Sequence, residues 1–142
     1  MLRTAKILAL AAVVAMTLAL PAWAGNAHFV GGISVERSGD SLTVSGKVAG
    51  LGNIDEIHVE ITADAACINP GTKKPKAANK QSFSVEGDVP VQNGKADFSF
   101  VLTASFSPNC TPPMTVEFSN VTVTVSTEEA GVILTRSPSG TF

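Results

Sequence analysis

The chain has no tyrosine, and its single tryptophan, Trp23, falls inside an N-terminal apolar leader, so every large aromatic residue beyond that leader is a phenylalanine. Flat rings that stack sugars or bases are therefore scarce. That argues against a conventional carbohydrate-binding face and against a nucleic-acid stacking platform. Histidine occurs only as His28 and His58. A serine or cysteine hydrolase needs a nucleophile beside a base, and a blue-copper or superoxide-dismutase-like centre needs several imidazoles. Cys110 and Met114 are spaced somewhat like a copper loop, but Thr111, Pro112 and Pro113 stand between them with no histidine. Neither a Gly-x-Ser-x-Gly nor a His-Glu-x-x-His motif occurs. Apolar residues at helical spacing with a cap are also missing beyond the leader, so no helix is expected there.

The leader itself is informative. Arg3 and Lys6 precede the apolar run Ile7 to Leu20, and Pro21-Ala22-Trp23-Ala24 supplies a small-x-small cleavage site. This is the pattern of a Sec signal peptide over residues 1–24, its apolar run shorter than the roughly 18 or more apolar residues of a membrane span. No cysteine follows the run for lipid attachment, and no Arg-Arg pair marks the twin-arginine route. The expected address is secreted or periplasmic, with a mature chain from Gly25 and no transmembrane segment after cleavage. Taking Arg3 and Lys6 from ten Lys+Arg leaves eight against twelve Asp+Glu, a formal charge of −4. Such a balance offers no general attraction to nucleic acid or to an anionic membrane.

From residue 28 onward the dominant period is two. Phe29, Gly31, Ile33 and Val35 form one alternating row, Leu42, Val44, Gly46 and Val48 the next, and Ile57, Val59, Ile61 and Ala63 the third. Phe83, Val85, Gly87 and Val89 are followed by Asn93-Gly94, the strongest short hairpin signal, and Ala96, Phe98, Phe100 and Leu102 return. Pro90 suits an edge strand, because it has no ladder donor. In the long run from Met114 to Val125 the apolar parity switches between Phe118 and Val121. One step flips every side chain, so Ser119-Asn120 is expected to form a β-bulge or a crossing between sheets. Val132 to Thr135 closes the fold. The chain therefore reads as all-β, a single antiparallel β-sandwich of about seven strands over residues 25–136, with 137–142 as a polar C-terminal tail. The arrangement resembles immunoglobulin-like architecture, without the buried tryptophan and paired core cysteines of antibody domains.

Two cysteines in an exported chain most economically pair. If neighbouring strands alternate in direction, Cys67 and Cys110 reach the same end of the molecule. Their disulfide would close a long loop, worth about 4 kcal/mol on chain-entropy grounds. Residues 65–80 read as a long connection carrying Lys73, Lys74, Lys76 and Lys80. Those lysines are the candidate partner-binding residues, an anion-contacting patch set against the simpler reading of a solubilising loop. The acidic pairs Asp55-Glu56 and Glu128-Glu129 fall in turns, where charge is usually solvated, which disfavours a glycoside-cleaving pair. Asp40, Asp64, Asn69 and Asn109 lack the regular spacing of a calcium loop. His58 faces away from its apolar row. No catalytic residue, cofactor or metal site is therefore assigned.

The expectation is an exported, non-enzymatic β-sandwich that binds an unknown protein or an anionic envelope or extracellular ligand. Its surface would be the stapled loop end, residues 65–80 and 104–113. Two alternatives are a structural subunit joined by strand addition through the arm Ala27 to Val35, and a secreted enzyme inhibitor presenting the Cys67 loop.

Overall fold

The computed structural model describes residues 26–71 and 75–142, the side chains of 75–78 excepted. The expected leader, 1–24, lies outside the described residues. The elements are β1 (His28–Phe29), β2 (Ser34–Ser38), β3 (Ser41–Ala49), β4 (Glu56–Ile68), β5 (Pro75–Pro90), β6 (Ala96–Thr103), β7 (Thr115–Thr127) and β8 (Gly131–Arg136). All pairings are antiparallel. A shorter sheet sets β1 and β2 along one edge of β3 and β6 along the other, and a longer sheet runs β5-β4-β7-β8. The inward rows of both sheets share one core. Leu42, Val44, Val48 and Phe98 come from the shorter sheet, and Ile57, Val59, Ile61, Phe118 and Val123 from the longer.

Among the described residues there are eight strands where about seven were expected, because the first apolar run breaks. Phe29 pairs with Val48 while Ser34 pairs with Ser45, which leaves an extra pair of residues looped out between β1 and β2. Gly31 takes φ 70° there, a conformation that costs glycine nothing. The arm weighed in the alternative of strand addition to a neighbour is paired with β3 of its own chain. Across the open side of the sandwich, the Arg136 guanidinium of β8 lies 4.9 Å from the Phe29 ring centroid and donates to the Gly31 carbonyl at 3.1 Å.

The parity switch in β7 is a bulge. Thr62 faces Thr122 and Asp64 faces Ser119, so one extra residue is accommodated opposite Ala63. Asn120 adopts φ 51°, a left-handed conformation that asparagine tolerates better than most side chains. Phe118 and Val121 are consequently both fully buried. Beyond β8 the chain runs on in the same direction and regains the same edge of β7. Phe142 and Phe118 exchange two backbone hydrogen bonds of 2.9 Å, so the polar tail ends on the sheet.

Two glycines in the inward rows make room for rings. A Cβ at Gly46 would sit 2.8 Å from Phe98, directly across the β3–β6 pair. One at Gly87 would sit 2.8 Å from Phe100, which reaches over from the opposite sheet. Gly46→Ala and Gly87→Ala are each expected to destabilise the protein by about 1–3 kcal/mol through overpacking, read as a lowered urea midpoint at unchanged slope. A midpoint equal to that of the native protein would show that the rings move aside freely.

Candidate functional site

The stapled end exists, but it is built differently from a long loop. Cys67 and Cys110 are joined, with Cα atoms 5.7 Å apart. Cys67 is still within β4, and β5 begins at Pro75, so β4 and β5 are two antiparallel strands separated by only six residues of sequence, 69–74. Most of the expected 65–80 connection is therefore strand. The physical reason is pairing: Ala65 and Ala66 meet Gln81 and Lys80, and Ile68 meets Pro75, while residues 76–79 fall in a register shift opposite Cys67. Segment 104–113 is irregular, as expected, and lies over the inner face of this strand pair. Phe106 is buried against Phe83 with ring centroids 6.0 Å apart, and the Met114 sulfur rests 3.7 Å from the Cys67 sulfur. A disulfide sulfur carries no proton, so the second contact is packing alone. The Asp40 carbonyl accepts the Ala104 N–H at 2.9 Å, which ties the β2–β3 turn to the same end.

The four lysines do not form a described patch. Lys73 and Lys74 lie outside the described residues, as does the side chain of Lys76, whose backbone belongs to β5. Lys80 is exposed on β5 and borders a shallow hollow of about 510 Å³ together with Asp64, Ser82, Glu117 and Asn120. That neighbourhood is mixed in sign rather than cationic.

Sequence reasoning missed the polar network on the outer face of the longer sheet. Asp64 on β4 accepts a hydrogen bond from the Asn120 amide at 2.9 Å and another from the Ser82 hydroxyl at 2.6 Å. These donors, Asn120 first, hold its carboxyl below the usual aspartate range. The network ties β5, β4 and β7 together directly over the bulge. Further along the same face, His58 pairs with Asp88 at 2.7 Å and Glu86 at 3.3 Å, both on β5. The hydrogen bond to Asp88, then that to Glu86, raises the imidazole pKa above its ordinary value against a small opposing effect of desolvation. The missing signal was register. Once His58 is known to face Asp88 across β4 and β5, the pairing is legible, but neither residue's own neighbours in sequence announce it.

The acidic pairs do meet. Asp55, Glu56, Glu128 and Glu129 line one open cleft of about 530 Å³ with His58, Asp88 and Ser126. The residues weighed for calcium do not converge as a set: Asp64 is engaged by Asn120 and Ser82, and the Asn69 side chain accepts the Gly71 N–H at 3.0 Å. Among the described residues no group of three or more His, Cys, Asp or Glu is arranged to hold a metal ion. No helix among them is long and apolar enough to cross a membrane.

Compared with protein-family models, with curated proteins and with solved structures, the chain matches none.

Because the folded-state pKa of His58 is raised, its contribution to stability is complete below the ordinary imidazole value. It is lost as pH rises through the raised one. The melting temperature is therefore expected to fall across that interval, and Asp88→Asn to flatten the slope. In an NMR titration, Asp88→Asn should lower the His58 pKa, and Glu86→Gln should lower it by less. Identical titrations in native protein and both variants would rule out the pairing.

Proposed function

We propose that this chain is an exported, non-enzymatic interaction protein, an immunoglobulin-like sandwich that meets its partner through the disulfide-stapled end. The observation that carries the reading is the covalent and packed fixation of segment 104–113 on the β4–β5 pair. Irregular backbone held by a rigid scaffold is where binding surfaces commonly reside, because little ordering entropy is lost on association. A disulfide also fits the oxidising compartment to which the leader pattern directs the chain. The non-enzymatic reading is supported by His58, the stronger candidate base, both of whose ring nitrogens face carboxylates rather than a nucleophile. The partner class is a protein or an anionic envelope or extracellular ligand.

The test is capture from envelope extract and culture medium by the immobilised, oxidised protein. Its companion is a variant carrying Asn109→Ala, Thr111→Ala and Lys80→Ala, which leaves the disulfide and the buried Phe106 in place. A partner held by the native protein should be lost, by at least about tenfold in affinity, from a variant whose circular dichroism and melting are unchanged. Equal capture by both would remove the stapled end as the binding surface.

A further inference from the structure

We propose that the free edge of β5 pairs with β5 of a second copy of this chain, antiparallel about a two-fold axis. The longer sheet would then continue through two molecules. β5 is the outermost strand of that sheet and, at 16 residues, the longest in the molecule. Its ladder partner is β4. On leaving β5 the chain forms one isolated bridge, Gln92 with Lys95, before β6 joins the other sheet. Exposed edges are usually blunted by proline, by bulges or by charged side chains, lysine above all. Here prolines stand only at the two ends, Pro75 and Pro90, and the register with β4 is unbroken from Lys80 to Pro90.

The outer row of β5 reads Lys80, Ser82, Ser84, Glu86, Asp88, and all five are exposed. The row is positive at one end, carries hydroxyls at its centre and is negative at the other end. An antiparallel copy presents the same row reversed. With Phe83 opposite Phe83 of the second copy, Lys80 falls opposite Glu86 of the second copy and Ser82 opposite Ser84, and symmetry makes each contact twice. Directly opposed pairs of unlike charge stabilise an antiparallel ladder, and like pairs oppose it. Glu86 uses Oε2 toward His58, so Oε1 remains for the lysine. The inner row supplies apolar contact. Phe83 and Val85 are only half-buried at the edge of the core; Phe83 gains cover from its own counterpart, while Val85 falls opposite Gln81 of the second copy and diagonal to that ring. Such an interface is isologous, so it consumes both β5 edges and closes at a dimer.

The experiment is sedimentation of the oxidised protein from micromolar to millimolar concentration, at low and high salt. It is run beside Lys80→Glu and Glu86→Lys, with circular dichroism to confirm folding. The native protein is expected to dimerise more weakly as salt rises. Each variant alone places like charges at both contacts and should dimerise about tenfold less tightly or worse. Mixed in equal amounts, the two variants restore opposite charges at both contacts and should form a heterodimer. Hydrogen exchange of the β5 amides should slow in the dimer. The proposal is overturned by a native protein that stays monomeric throughout, by variants that associate as the native protein does, or by a mixture no better than its components. Dimerisation without slower exchange in β5 would overturn it equally.

Discussion

Everything in this molecule depends on two sheets of unequal length burying their inner rows against each other. The strands of the longer sheet that carry the core, β4 and β7, have 13 residues each, while β3 has 9 and β6 has 8. The shorter sheet covers only part of its partner, and Ala65, Cys67 and Phe83 extend beyond it. Bare apolar rows of that kind would cost roughly 25 cal/mol for each Å² left in water. Segment 104–113 supplies the missing cover with Phe106, and the disulfide keeps it there. The staple therefore completes the core; it is not an ornament on a finished fold.

The same inequality shapes the outer face. Because the longer sheet overhangs, its outer surface is a broad polar field, and that field is organised by register rather than by local sequence. At one end Asp64 gathers Asn120 and Ser82 over the bulge; toward the other, His58 is held between Asp88 and Glu86. Both clusters bridge neighbouring strands, so they report on strand pairing as much as on surface charge. They also bracket β5, whose free edge carries lysine near one cluster and acids within the other.

Much of this was legible in the residues. Period-two rows located most of the buried side chains, the Phe118–Val121 parity switch marked the bulge, and alternating strand directions brought Cys67 to Cys110. The upper half of the β4–β5 pair was not legible. Ala65 and Ala66 lack branched or aromatic side chains, and their place in the strand comes from pairing with Gln81 and Lys80 that no local pattern encodes, while residues 76–79 sit in a register shift opposite Cys67. The break between β1 and β2 was hidden for a related reason. Gly31 kept the apparent alternation of Phe29, Ile33 and Val35 while shifting their partners by two residues. The His58 pairing needed a long-range register between positions 30 residues apart. Local chemistry thus marked which residues go inside, and only the assembled sheets decided which polar groups meet outside.

Arg136 gives the sandwich a hinge side and an opening side. One flank is sewn by the chain itself through the Gln92–Lys95 turn, with the Leu51 N–H bonded to the Gly94 carbonyl and the disulfide at the far end. On the opposite flank, the described polar contact between the sheets is the guanidinium resting on Phe29 and reaching Gly31. The molecule is thus bound like a book, with a spine and, among the described polar contacts, one clasp. Partial opening has a preferred direction: the fore-edge parts first, and water meets the core beside Phe29 before it reaches the stapled end.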